Sequence, residues 1–144
     1  MHLSSYLEIL IPRWRAERTD MLPPPAPSAV VETFRRLGQE PSAETLTLYQ
    51  ALGGMQMMDN LLWRLWPLAE IEQINNEPSA YGVLFSDFLI DSHVYRLKQV
   101  DRDVAEVWVE GFDLGAPVLI AKSLTAFFAA YCSQPTLVLD PPSR

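Results

Sequence analysis

Cysteine and histidine are scarce in this sequence of 144 residues, and their scarcity limits the chemistry that the chain can perform. The single cysteine, Cys132, cannot form an intramolecular disulfide or a cysteine-based metal cluster. Catalysis needs polar groups of matched roles at one place, and only two histidines, His2 and His93, can contribute. We therefore expect no catalytic residues, no metal site and no cofactor.

Glycine-rich phosphate loops and long apolar runs are also missing. Gly53-Gly54 lacks the lysine and the serine or threonine of a phosphate-binding loop, so a helix stop explains it better. No apolar stretch approaches the roughly 20 residues that span a bilayer. The first residues lack a basic segment, and Glu8 interrupts their apolar run, so we expect no secretory signal and a location in the reducing cytoplasm.

Acidic residues outnumber basic ones by 18 to 11, which gives a formal net charge of -7. A negative surface disfavours binding to nucleic acid and to anionic membranes. It favours a basic protein partner through electrostatic steering, although mild acidity also serves solubility alone. Apolar residues make up 49% of the chain, which is enough for the packed core of one domain.

The first third of the chain predicts three helices. Apolar spacing indicates helices over residues 3–18 and 28–37, and Ser42 can cap a third that ends at Gly53-Gly54. Pro12 interrupts the first of them, so residues 3–18 can also form two short elements. Residues 23–27, with the sequence PPPAP, form a stiff connector.

The rest of the chain predicts a sheet. Met55–Met58 and Leu61–Trp66 are apolar segments about Asp59-Asn60, a pattern typical of a hairpin. Four alternating strands and a helix capped by Ser123 follow, with the sequences YGVLFSDFLI, SHVYRLKQV, AEVWVEGF, PVLIA and SLTAFFAAY. After Pro135, TLVLD predicts an edge strand. The fold class is therefore α+β, with an antiparallel sheet flanked by helices.

Alternation within two strands suggests a binding surface. In residues 104–110 the apolar set expected to face the core is Ala105, Val107 and Val109. The opposite set places a tryptophan between two glutamates: Glu106, Trp108 and Glu110. In residues 61–66 the inward set is Leu61, Trp63 and Leu65, and the outward set is Arg64 and Trp66. Outward tryptophans are typical protein-interface anchors, and the alternative is that helices cover both faces and bury them. The candidate partner-binding residues are Arg64, Trp66, Glu106, Trp108 and Glu110.

A second type of site involves the carboxylates and the histidine near residue 90. Asp91, Ser92 and His93 are adjacent in sequence, but neighbouring strand residues point to opposite faces and cannot form a triad. Asp87, Asp91 and His93 could instead bind a ligand or metal, provided that their side chains converge in one pocket. A turn and a solvated rim are the simpler interpretation.

The order of the segments resembles the SUKH superfamily, which includes yeast cell-wall synthesis regulators and many bacterial immunity proteins. The matching segments are VVETFRRLGQEPSAETLTLYQALGG, LWRLWPLAEIEQIN, VLFSDFLIDSHVYRL and VLIAKSLTAFFAAY. The resemblance covers about Pro25 to Tyr131 and implies a domain over residues 23–135, a helical extension over 1–22, and an edge strand and tail over 136–144.

The resemblance also implies a non-catalytic function. Bacterial members typically bind and neutralise a toxin domain, often a nuclease, so we expect a cytoplasmic immunity protein that occludes a cognate toxin. A regulatory or scaffolding module with a cellular protein partner is the alternative, and a ligand-binding or enzymatic domain is a further one. The N-terminal extension and the PPPAP connector depart from the family pattern.

Overall fold

The computed structural model describes residues 1–111 and 114–139. These residues form, in chain order, α1 (Leu3–Ala16), α2 (Pro27–Arg36), α3 (Ala43–Ala51), β1 (Trp63–Leu65), α4 (Leu68–Ile74), β2 (Val83–Phe88), β3 (His93–Gln99), β4 (Ala105–Gly111), β5 (Val118–Ala121), α5 (Leu124–Ser133) and α6 (Thr136–Leu139). The five strands make one antiparallel sheet in the order β1-β2-β3-β4-β5. The predicted α+β class is confirmed.

The core lies between the inner face of the sheet and helix α5, with α1 and α3 packed against α5. Strand β4 follows the predicted alternation, since Ala105, Val107 and Val109 are fully buried. Trp63 of β1 is the centre of an aromatic cluster. The rings around it belong to Trp14, Phe127, Phe128 and Tyr131. Edge-to-face and tilted ring contacts of this kind add to the stabilisation from apolar burial.

Helix α1 is continuous through Pro12, so the predicted alternative of two short elements is wrong. Pro12 and Glu8 are both exposed, so water can reach the carbonyl that loses its intrahelical partner. Leu7, Leu10 and Trp14 on the opposite side are buried and hold the helix against the core. The segment expected to be an extension is therefore part of the hydrophobic core. Its first turn has no side-chain cap.

Residues 21–25 pass over the end of α3. Gly53 N–H donates to Leu22 O at 2.9 Å, and Leu22 N–H donates to Gly54 O at 2.8 Å. A Cβ on Gly53 would lie 2.1 Å from Pro23 O, so only glycine permits this approach. The predicted hairpin is wrong in its first half: Met55 N–H donates to Leu65 O at 2.8 Å, but Met55 forms an isolated bridge with Met21 and its segment makes no ladder with β1. Strand β1 pairs with β2, and Met55–Met58 forms no strand.

Two carboxylates tie the helices to the sheet. Asp59 is buried and accepts from Trp14 Nε1 at 2.8 Å and from the Tyr131 hydroxyl, which joins α1 to α5. Glu44, in the first turn of α3, accepts from Leu124 N and Thr125 N at 3.0 Å each. The negative charge of Glu44 therefore sits at the N-terminus of α5, where the unpaired N–H groups favour an anion.

The segment after Pro135 is helix α6, and the predicted edge strand is wrong over Thr136–Leu139. Val138 N–H and Leu139 N–H both donate back to Pro135 O. The Tyr95 hydroxyl donates to Val138 O at 2.7 Å, which fixes the helix beneath the sheet. A proline at the start of a helix costs no hydrogen bond, so Pro135 begins this turn instead of a strand. Residues 140–144 of the predicted tail lie outside the described residues.

Candidate functional site

One face of strands β3, β4 and β5 points away from helix α5, and we call it the outer face. Its residues are Val94, Arg96, Lys98, Glu106, Trp108, Glu110 and Leu119. All seven are partly exposed, whereas their neighbours on the inner face of β4 are fully buried. Strand β2 does not contribute to the outer face, because Trp66 and Glu70 cover its residue Asp87 on the same side of the sheet.

Trp108 lies at the middle of the outer face. Its ring centroid is 5.0 Å from that of Tyr81, and the Lys98 ammonium lies 5.9 Å above its ring. Its Nε1–H donates to Glu106 at 3.1 Å. These contacts orient the indole while leaving part of its surface accessible. A fixed, partly exposed tryptophan loses little side-chain entropy on binding, which favours a role as an interface anchor.

The outer face carries two cations and two carboxylates, and one pair of them is in contact. Arg96 forms an ion pair with Glu110 and donates to Gly82 O at 2.8 Å. Lys98 lies opposite Glu106 in the register of β3 and β4. The sequence of β4 alone predicts an acidic surface. The neighbouring strand supplies two cations, so the outer face has balanced charge.

Arg64 lies at the β1 end of the sheet, outside the outer face. Its guanidinium pairs with Glu70 and donates to Met55 O at 3.0 Å, and its Nε is 3.5 Å from Asp87. Burial by itself would lower the pKa of Arg64, but the hydrogen bond to Glu70 and the nearby carboxylates raise it above the ordinary arginine value. Arg64 is therefore held as a cation within a local network.

Trp66 points to the outer side of the sheet, as predicted, but it is covered there, so the prediction of an exposed tryptophan at this position is wrong. It is buried, and its Nε1–H donates to Asp87 Oδ2 at 2.5 Å. The sheet pairing continues past Leu65, because Trp66 N–H donates to Phe85 O at 2.8 Å, so the side chain of Trp66 keeps the direction that the alternation predicts. Leu61 was expected inward from the same alternation, but it precedes strand β1 and is exposed, so that prediction is wrong.

Asp87 has an unusual environment for a carboxylate. It is 5% exposed, and burial raises the pKa of the Asp87 carboxyl. The hydrogen bond from Trp66 and the charge of Arg64 offset this effect only in part, and the charges of Asp91 and Glu70 add to it. The group therefore stays partly uncharged at a higher pH than an exposed aspartate does.

Asp87, Asp91 and His93 do not converge as a ligand site requires. Asp87 and Asp91 line one small cleft, whereas His93 pairs with Phe88 on the other face of the sheet and stacks on its ring at 6.0 Å. Within residues 1–111 and 114–139, no three histidine, cysteine or acidic side chains are grouped as metal ligands. The geometry thus disagrees with the hypothesis that these three residues form one site.

The structure assembles three of the five predicted residues, Glu106, Trp108 and Glu110, on one surface. It adds Tyr81, Arg96 and Lys98, which the sequence analysis missed. The signal for Arg96 and Lys98 was present in the alternation of residues 93–99, but their neighbours across the sheet follow only from the register. Tyr81 precedes β2, and its position depends on the turn at Gly82, where φ is +95°.

A comparison of the chain with protein-family models and with curated proteins finds no match. The resemblance to the SUKH superfamily therefore stays a prediction from the sequence. Of the helices that the structure describes, none has the length and apolar character needed to cross a bilayer.

Proposed function

We propose that this chain is a non-catalytic protein-binding domain and that the outer face is its docking surface. The observation that supports this most is Trp108, a large aromatic side chain held at the centre of a sheet face that α5 does not cover. Protein interfaces are enriched in tryptophan and arginine at their centres, and the outer face supplies both.

The specific role that we propose is neutralisation of a cognate toxin domain in the bacterial cytoplasm. This role rests on the sequence resemblance, and the outer face supplies a surface on which occlusion could operate. A partner that covers Trp108 would also meet the Arg96–Glu110 pair. Because these charges are already satisfied within the face, the partner needs matching polar groups more than a large opposite charge.

A binding experiment with the product of the neighbouring gene tests this proposal. Trp108→Ala should weaken the complex at least about tenfold, because truncating a central aromatic anchor removes most of its contact. Ile9→Ala on the exposed side of α1 is the control and should leave the affinity unchanged. Circular dichroism of both variants checks that the fold is intact. Tight binding that Trp108→Ala does not weaken would refute the outer face as the docking surface.

A further inference from the structure

Exposed apolar side chains gather at one end of the sheet, next to the turn between β2 and β3. Five of the ten large exposed hydrophobic residues in the described part of the chain belong to this region. We call it the apical patch, and its members are Met57, Leu61, Leu62, Leu89 and Ile90. Leu89 N–H donates to Leu62 O at 3.0 Å, which joins the two loops that carry most of the patch.

The backbone of the apical patch is strained. Leu62 has a φ of 70°, and the consecutive residues Leu89, Ile90 and Asp91 have φ values of 55°, 49° and 67°. Residues other than glycine, asparagine and aspartate rarely adopt this left-handed region, and a β-branched residue there is an outlier. A short hairpin turn requires positive φ values, and this turn adopts them with leucine and isoleucine where glycine or asparagine is usual. Ile90 is 76% exposed, so its own packing in the core does not compensate for the strain.

The patch contains two concave features that could receive side chains. An apolar groove of about 390 Å³ lies between the β2–β3 turn and α6, lined by Leu61, Phe88, Leu89, Pro135, Thr136 and Leu139. A smaller cleft of about 170 Å³ lies beside it and separates Met57 from Ile90. The groove has room for one or two large apolar side chains of a partner.

Carboxylates border the apical patch. Asp91 is exposed and lines the smaller cleft together with the buried Asp87, and Glu17 accepts from Asn60 N beside Leu61. Among the described residues that line this cleft, Arg64 is the one cation, and it is already shared between Glu70 and Asp87. An apolar surface with an acidic border fits an apolar segment that carries basic residues at its sides.

A second copy of the chain fits the apical patch less well. Each copy has a formal net charge of -7, and a symmetric contact would bring the same carboxylates towards each other. An anionic membrane surface meets the same repulsion. Charge complementarity therefore favours a basic partner protein at the apical patch over a second copy of the chain or an anionic membrane.

We propose that the apical patch binds a basic amphipathic segment of another protein, with its apolar side chains in the groove. This surface is separate from Trp108 and the outer face, so it goes beyond the proposed function. The left-handed turn raises Ile90 and Leu89 out of the sheet, where a partner helix can cover both.

Fluorescence anisotropy with a labelled synthetic helical peptide, leucines on one face and lysines on the other, tests the proposal. The wild-type chain should bind this peptide and not its leucine–glutamate counterpart, and added salt should weaken the binding. Ile90→Asn should weaken it at least about tenfold. The same substitution should raise Tm by about 3 °C or more, because asparagine tolerates the left-handed conformation. A variant that is more stable but binds less cannot be explained by misfolding.

Two controls separate this result from the other possibilities. Ile74→Asn makes the same change at an exposed residue of α4 and should leave peptide binding unchanged. Trp108→Ala should also leave it unchanged, because Trp108 lies on the outer face. The proposal is overturned if Ile90→Asn binds the peptide as the wild type does, if the acidic peptide binds equally well, or if Trp108→Ala abolishes binding. A dimer in sedimentation equilibrium that Ile90→Asn dissociates would overturn it as well, since the occupant would then be a second copy.

Discussion

Asp59 makes a quantitative prediction, because its carboxylate holds together parts of the chain that are distant in sequence. It accepts from Trp14 Nε1 at 2.8 Å, from Trp63 N at 3.1 Å and from the Tyr131 hydroxyl, and all three donors are buried. A buried donor that loses its partner costs about 1–3 kcal/mol. The three costs are not additive, because the side chains can relax, so Asp59→Ala should lower the free energy of unfolding by about 3–5 kcal/mol.

This loss is a large part of the about 5–15 kcal/mol that stabilises a domain of ordinary size. Asp59→Asn keeps one oxygen acceptor and should cost less than Asp59→Ala. Tyr131→Phe removes a single donor and should cost about 1 kcal/mol. Asp59→Asn should also lower the free energy of unfolding by less when Tyr131 is already phenylalanine, because the hydrogen bond from the Tyr131 hydroxyl to residue 59 is then absent from the start. Burial and the charge of Asp59 raise the pKa of Tyr131 well above the ordinary tyrosine value, so its hydroxyl stays a donor throughout the accessible pH range.

Urea denaturation monitored by tryptophan fluorescence and by circular dichroism measures these differences. The matched control is Asp101→Ala, since the Asp101 carboxylate accepts two backbone hydrogen bonds from Asp103 and Val104 in an exposed turn. Water can replace those bonds, so this variant should lose much less stability. If Asp59→Ala is no more destabilising than Asp101→Ala, the hydrogen bonds of Asp59 do not hold the helices to the sheet.

The remaining predictions concern a buried carboxyl and two glycines. The raised pKa of Asp87 means that the folded chain binds this proton more tightly than the unfolded chain, so the contribution of Asp87 to stability is lost as pH rises through its folded pKa. The Tm of Asp87→Asn minus that of the wild type should therefore be more positive at neutral pH than at about pH 4, and a difference that does not vary with pH contradicts the burial argument. At Gly82 a Cβ would lie 2.3 Å from Leu97 O, whereas Gly38 has a similar positive φ and nothing within 4 Å. In urea denaturation, Gly82→Ala should therefore lower the free energy of unfolding by about 2 kcal/mol or more beyond the loss in Gly38→Ala. Equal losses would mean that the positive φ alone, and not the close approach to Leu97 O, determines the effect of the added methyl group.

Local patterns in the sequence predicted several elements well. Alternation in β4 predicted which of its residues are buried, because a strand packed on one face repeats every second residue. Ser42 and Ser123 are the caps of α3 and α5, as predicted, and each side-chain oxygen accepts from the backbone N–H three residues on. These features depend on contacts between neighbours in the sequence.

Features that depend on distant contacts were missed. The two glutamates of β4 predicted an acidic surface, and only the pairing with β3 shows that Arg96 and Lys98 balance them. The alternation predicted the direction of Trp66, but only the three-dimensional packing shows that Trp66 is buried and bonded to Asp87. The apical patch had no sequence signal at all, because Leu89 and Ile90 are not residues that predict a left-handed turn.

The indole N–H signals of the four tryptophans test the central proposal most directly. Trp14, Trp63 and Trp66 are buried, and Trp108 alone is partly exposed on the outer face. In a ¹H–¹⁵N spectrum assigned with single Trp→Phe variants, addition of the neighbouring gene's product should shift the Trp108 signal and leave the other three in place. A complex that forms while the Trp108 signal stays unchanged would contradict the outer face as the docking surface.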